Sequence, residues 1–245
     1  MRAMQNKNIT SLSVVLPVYN EQDNLPALFE EIRRSIANIG KEWEVLFVDD
    51  GSKDRSLEVI KTLAADHPQI RYLSFRKNCG QSAAFAAGFQ AARHEVIVTM
   101  DADLQNDPAD IPAMLIEFER GYDMVIGWRA KRKDTFAKRI ASRWANAIRN
   151  RLTGETVKDT GCSLKILRTT MARHIPMFTG MHRFLPTLMK MQGATVSELK
   201  VNHRPRLHGV SKYGAFSRAK TAAFDLLAVA WMKRRYINYD IAERN

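Results

Sequence analysis

Asp101, Ala102 and Asp103 are the residues whose type and spacing say most about chemistry; they lie in the run EVIVTMDADLQNDP, residues 95–108. Val96, Ile97 and Val98 are β-branched and uncharged, the pattern of a short buried strand. The strand then runs into two carboxylates one residue apart. At a buried edge such a pair repels itself and loses hydration. A hard divalent cation, Mg²⁺ or Mn²⁺, relieves both costs, because these ions take one or two carboxylates together with substrate phosphates. Gln105 adds a neutral oxygen two residues further on. Taken alone, D-A-D fits solvated aspartates in a strand-to-loop turn, punctuated by Asn106-Asp107-Pro108, as well as it fits a metal site.

The elements that must position these residues are legible on either side. Residues 11–18 read as a first strand that ends in Pro17-Val18-Tyr19-Asn20-Glu21. A helix over 25–39 follows, capped by Asp23 or Asn24, with Pro26 in its first turn and Gly40 as its stop. Leu25, Leu28, Phe29, Ile32 and Ile36 share one face of it. Residues 44–48 are a second strand, ending in Asp49-Asp50-Gly51-Ser52, and Ser52 or Asp54 starts the next helix. A third strand at 70–75, a turn at Asn78-Cys79-Gly80 and a small-residue helix at 81–92 lead to the strand before Asp101. Strands alternating with helices predict an α/β fold with a mainly parallel central sheet flanked by helices. Such sheets bind ligands beyond the carboxyl ends of their strands. Three acidic or polar clusters fall at those ends, which is more than ordinary loop chemistry supplies. Neither G-x-G-x-x-G after the first strand nor G-x-x-x-x-G-K-[ST] occurs, which argues against a dinucleotide oxidoreductase or a P-loop enzyme.

Composition bounds the partners. A chain of 245 residues can hold one large α/β domain. Cys79 and Cys162 have no metal-site spacing, and a reducing compartment is expected. Residues 1–12 lack the apolar core of a signal peptide. The longest charge-free run, residues 78–92, is too short and too polar to span a bilayer, so the chain is not expected to cross a membrane by itself. Residues 1–128 hold 13 Lys+Arg and 19 Asp+Glu, net −6, whereas residues 129–245 hold 25 and 7, net +18. That asymmetry calls for an anionic partner: a phosphorylated substrate, a lipid surface or nucleic acid. No nucleic-acid motif is present, so nucleic acid is not expected, and a non-catalytic anion binder is the weakest reading.

The ordered segments VVLPVYNEQDNL, VLFVDDGSKDRS, FRKNCGQSAAFAAGF and VIVTMDADLQNDP resemble family 2 glycosyltransferases of GT-A fold. More narrowly they resemble the polyprenol-phosphate glycosyltransferases, typified by dolichyl-phosphate mannose synthase. The motifs run from Val14 to about Arg168, with matching segments to Tyr213. The resemblance implies transfer of a sugar, with inversion, from a UDP- or GDP-sugar to undecaprenyl or dolichyl phosphate. It implies that Pro17, Tyr19 and Glu21 belong to the nucleotide pocket and that Asp50 reads the base or ribose. Asp101 and Asp103 would meet the donor diphosphate through Mg²⁺ or Mn²⁺, with Gln105 completing the shell and Ala102 among the substrate contacts. Asp159, in KDTGC, would be the active-site carboxylate near the acceptor, and Asp103 and Arg129 would act beside it. Arg129, Arg204, Arg206 and Lys212 would bind phosphate. The alternative within the family is a soluble hydroxyl acceptor, for which Asp159 would be an indispensable base.

The basic half also reads without the family. Residues 127–133 leave a strand at 123–126 as a charged loop suited to a lid over a diphosphate. Residues 135–152 form a basic amphipathic pattern with Trp144. Residues 201–214 suit a loop that closes on phosphates, and residues 215–232, followed by Lys233-Arg234-Arg235, suit either an interfacial helix or one docked on the core. The expected division is a transferase domain over 1–213 and an amphipathic, membrane-facing segment over 214–245. The expected location is the cytoplasmic face of a membrane, held peripherally, with an integral membrane partner left open.

Overall fold

The computed structural model of the chain describes residues 8–130, 154–205, 215–237 and 243. The strands are β1 (Ser11–Val18), β2 (Glu42–Asp49), β3 (Ile70–Ser74), β4 (Val96–Thr99), β5 (Met124–Trp128), β6 (Lys165–Arg168) and β7 (Val196–Lys200). The helices are α1 (Leu25–Ile36), α2 (Ser56–Asp66), α3 (Gln81–Ala91), α4 (Ile111–Glu119), α5 (Thr169–Ala172), α6 (Leu185–Met191) and α7 (Ala215–Arg235). The seven strands form one sheet in the order β3-β2-β1-β4-β6-β5-β7. Among them β6 alone runs against its neighbours; the other described pairings are parallel. The carboxyl ends of six strands, and the first residue of β6, therefore share one edge.

Both faces of the sheet are covered, so its central strands are buried on both sides. Along β1, Val14, Leu16 and Val18 join Phe29, Ile111 and Phe118 on one face, while Val15 joins Phe85, Phe89 and Leu188 on the other. Phe29, Phe47, Phe89 and Phe118 are fully buried, each contributing about 1.5–3 kcal/mol relative to exposure. α3 lies close on the sheet because Gly88 has no side chain: a Cβ there would stand 2.3 Å from Val15 Cγ1.

The first four strands and three helices lie where the apolar pattern puts them. Details differ. Asn24 occupies the cap position of α1, but its amide donates to Glu21 Oε2 at 2.7 Å instead of accepting from the helix. Gly127 and Trp128 belong to β5, not to a loop, because β7 continues the parallel ladder to Trp128. At Gly127 a Cβ would meet Val201 Cγ2 at 2.8 Å and Cys162 Sγ at 2.9 Å, so the missing side chain permits the close packing. The basic stretch 131–153 and the segment 206–214, with Arg206 and Lys212, lie outside the described residues.

α7 packs one side on the core and leaves another exposed. Leu226, Val229 and Met232 pack into the core face shared with α3 and α6. Phe224, Leu227 and Trp231 point outward, each more than half exposed. Among the described residues no helix is long and apolar enough to cross a membrane.

Candidate active site

The site can be followed along the shared edge from β2 to β7. Asp50 follows β2 and is buried. Its Oδ1 accepts from the backbone N–H of Cys79 at 2.6 Å, and its Oδ2 accepts from Gly80 N–H at 2.9 Å and Asn78 Nδ2 at 3.0 Å. Burial is the largest influence on this carboxyl and, with Asp49 nearby, leaves its pKa above the usual value despite those N–H donors. Asp50 therefore organises the 78–80 turn with the oxygens expected to read a nucleotide. Gly51, at φ 67°, makes the approach possible, since a Cβ there would lie 2.5 Å from the Lys77 carbonyl carbon.

Pro17 pairs with Val48 inside β1, and Tyr19, Asn20 and Glu21 turn away from the strand end beside that carboxylate loop. Asn20 has φ 54°, and its neighbours are tied to the second loop: Asn20 N–H donates to Ser52 Oγ and Glu21 N–H to Ser56 Oγ. Leu104, in the Asp101 loop, has φ 61°. Among the described residues these are the two non-glycine positions with positive φ, and both follow strands at the same edge. Each left-handed residue costs on the order of 1 kcal/mol or more, so the surrounding bonds hold them there.

Past β4 the two carboxylates come together. Gln81 Nε2, at the start of α3, donates to Asp101 Oδ1 at 2.6 Å, and Gln105 N–H donates to Asp103 Oδ1 at 3.2 Å. Burial first, and then the charge of Asp103, raise the Asp101 pKa. Ala102, between them, is buried. Gln105 leans its amide on Arg204 O at 3.5 Å. No group of three His, Cys, Asp or Glu side chains gathers among the described residues. Two neighbouring carboxylates with a side-chain amide oxygen beside them are a donor set of oxygens that fits a hard cation taking its remaining ligands from substrate oxygens.

Beyond lies the second acidic feature. Arg129 Nε donates to Asp159 Oδ2 at 2.7 Å and Nη2 to Oδ1 at 2.9 Å, a bidentate pair with 13% and 8% side-chain exposure. Burial works against the Arg129 charge, but the Asp159 bonds and charge outweigh it and raise its pKa. Sequence reasoning brought these two residues to the site; it did not pair them.

Lys165, the first residue of β6, was not picked out from the sequence. It is 3% exposed, is partnered across the sheet with Thr99, and its Nζ donates to Cys162 O. Burial lowers its pKa, and the nearby charges of Asp101 and Asp159 oppose that shift. A lysine opening the otherwise apolar run KIL was the available signal, because a buried ammonium needs anions around it.

Arg204, expected among the phosphate-binding residues, is engaged in two ion pairs. Its Nη1 donates to Glu31 Oε2 at 2.6 Å and its Nη2 to Asp107 Oδ1 at 2.7 Å. With the Asn106–His203 bridge, these bonds strap residues 201–205 onto the loop after Asp103.

Residues 13–176 match the glycosyl transferase family 2 profile. The chain is 40% identical over 228 residues to a dodecaprenyl-phosphate galacturonate synthase of Rhizobium johnstonii, covering 91% of this chain and 67% of that protein. It is 38% identical over 221 residues to an undecaprenyl-phosphate 4-deoxy-4-formamido-L-arabinose transferase of Pectobacterium atrosepticum, covering 90% and 67%. Among solved structures, glucosyl-3-phosphoglycerate synthase from Mycobacterium tuberculosis, in complex with Mn²⁺, UDP-glucose and phosphoglyceric acid, aligns with TM-score 0.66 and 14% identity over 94% of this chain and 81% of that one. A mannosyltransferase from Pyrobaculum calidifontis in complex with GDP-mannose and Mn²⁺ aligns with TM-score 0.62 and 16% identity over 98% and 68%. At those identities the structures speak for the GT-A fold alone. The sequence matches carry the family: this chain belongs to glycosyl transferase family 2.

Proposed function

We propose that this chain moves a sugar from a nucleotide diphosphate sugar to a polyprenyl phosphate, with inversion, at a membrane surface. The observation that carries the reading is the single sheet edge, where Asp50 sits at one end, Asp101 and Asp103 in the middle and the Arg129–Asp159 pair beyond. The two relatives named above are both polyprenyl-phosphate enzymes, matched over about nine tenths of this chain. Residues 1–213 carry the transfer in this reading, and residues 214–245 face the membrane.

Asp50 and the 78–80 turn, with Pro17, Tyr19 and Glu21, receive the nucleoside. Asp101 and Asp103, with Gln105 beside them, would hold Mg²⁺ or Mn²⁺, which when bound would supply positive charge against the departing diphosphate. Lys165, buried at the start of β6, stands within electrostatic reach of Asp101 and Asp159. An acceptor phosphate oxygen attacks the anomeric carbon, the bond to the diphosphate breaks, and its electron pair leaves with the nucleoside diphosphate. A phosphate monoester near neutral pH carries about −1.5 to −2 charge, so no proton has to be removed from it. That suits Asp159, because a carboxylate clamped by both ends of a guanidinium is a poor base. Its task is to hold Arg129 towards the incoming anion.

Asp103→Asn keeps the shape and removes one ligand charge. Transfer to polyprenyl phosphate is expected to fall by roughly 10²-fold or more, the scale of losing an electrostatic group at developing charge, and Mn²⁺ affinity should fall in parallel by electron paramagnetic resonance. Full transfer by this variant, or by the wild type in excess EDTA, would overturn the metal assignment.

A further inference from the structure

We propose that Lys158 and Lys200, gathered over the Trp128 indole, form a phosphate-binding site on the acceptor side of the reaction centre. This rests on the reading above that the acceptor is a polyprenyl phosphate. Lys158 Nζ lies 4.2 Å from the Trp128 ring centroid and Lys200 Nζ 5.5 Å, both within cation–π range. One lysine would suffice to pack the ring. The second brings a like charge to the same place, and neither ammonium pairs with a carboxylate among the described residues. Glu198, two residues before Lys200, does not quench them in this way: its Oε1 accepts from the backbone N–H of Lys158 at 2.7 Å and of Asp159 at 3.3 Å. Two ammoniums thus lie within about 6 Å of one indole ring, and an anion that reaches both is favoured by both charges.

The topology places this cluster beside the chemistry. Trp128 and Lys200 are parallel partners at the carboxyl ends of β5 and β7. Each of the two clasped segments contributes a pair of adjacent residues: Arg129 clamps Asp159, and Trp128 carries Lys158. Along the edge the order runs from Asp50 after β2, through Asp101 and Asp103 after β4 and Asp159 before β6, to Trp128 and Lys200. The donor end is thus acidic and the far end presents cations. Lysine ammoniums bind phosphate as compact point charges. The two lysines add to Arg129 on this side, and the Arg204 guanidinium is paired with Glu31 and Asp107.

The test is the double substitution Lys158→Met with Lys200→Met, which keeps the apolar stems over Trp128, alongside the charge-retaining double substitution Lys158→Arg with Lys200→Arg. Transfer is measured with a short-chain, water-soluble polyprenyl phosphate and with the long-chain acceptor in neutral and in anionic vesicles. The expected result for the Met pair is an acceptor KM raised about tenfold or more, equivalent to about 1.4 kcal/mol of binding, in all three settings. The donor KM should stay near the wild-type value, and the Arg pair should restore acceptor KM. A rise confined to anionic vesicles would assign the bound phosphate to lipid headgroups instead of the acceptor itself. An acceptor KM unchanged in every setting, or an equal loss of turnover and melting temperature in the Met and Arg pairs, would overturn the site and leave a packing role. A wild-type enzyme inactive on every polyprenyl phosphate would overturn the acceptor reading instead. The site would then stand or fall on calorimetric titration with inorganic phosphate, which should bind the wild type and not the Met pair.

Discussion

The Arg129–Asp159 pair shows what a sequence reveals about single residues and what it withholds. Asp50, Asp101 and Asp103 were legible as acidic residues next to apolar runs, because the edge of a buried strand is an expensive place for a carboxylate, whereas Asp159 was reached only through the resemblance carried by KDTGC. Their partners were not legible. Arg129 meets Asp159 across 30 positions, Asp50 meets the 79 and 80 amides across 29 and 30, and Arg204 meets Glu31 across 173. Local periodicity carries no information about such pairings. The pairing changes what is expected of Asp159→Asn. Removing one member of a well-buried ion pair costs up to about 3–5 kcal/mol because the other charge is left behind. The variant is expected to melt earlier and to turn over more slowly, while donor affinity measured by calorimetry stays close to wild type. If donor affinity collapsed on folded protein, Asp159 would belong to the donor pocket and not to the acceptor side.

Elements were legible where one face is strongly patterned. α1 shows its apolar stripe, and β1, β2 and β4 show short β-branched runs, so their positions followed directly. β7 escaped notice because its residues, VSELK, are half-buried and polar on an outer strand, and β6 because a lysine opens it. The 3-10 turn Met181–Arg183 is another element without a periodic signal, and it touches the site's supports. His182 Nδ1 lies 2.8 Å from Ser82 Oγ in the first turn of α3, and Ser82 Oγ also accepts from Gly180 N–H at 3.0 Å. Burial, with help from the charges of Arg183 and Lys165, lowers the His182 pKa to about 3. Unfolded, this histidine takes a proton near its ordinary pKa of about 6.5. Between those two values the unfolded chain binds the extra proton, so stability rises with pH and is lost as pH falls below about 6.5. The slope approaches about 1.4 kcal/mol per pH unit. His182→Gln, which keeps a polar partner for Ser82, should therefore lose less stability than wild type between pH 7 and pH 5 in parallel thermal melts. Identical pH profiles for the two proteins would show that His182 titrates freely in the folded state.

At the scale of the whole molecule the charge asymmetry of −6 against +18 was readable at once, and so was the need for an anionic partner. What it could not show was that the final helix divides into a packed face and an exposed one. α7 is held by Leu226, Val229 and Met232 in the core, so its outward residues are free for another task. Phe224 is 66% exposed and Trp231 64%, with Leu227 between them and Lys233, Arg234 and Arg235 in the last turn. An apolar and aromatic face beside basic residues is the pattern of a helix lying in a bilayer interface. Each lysine or arginine near an anionic leaflet adds about 1 kcal/mol, and this falls off over a Debye length of about 8–10 Å at moderate salt. The chain is therefore expected to bind anionic vesicles at low salt and to leave them as salt rises. Replacing Phe224 and Trp231 together by Ser removes interfacial apolar area without opening the core, since both side chains already face outward. Vesicle co-sedimentation and transfer to long-chain polyprenyl phosphate should fall together, while nucleotide-sugar binding and the melting temperature hold. Unchanged co-sedimentation would show that this face of α7 does not meet the bilayer.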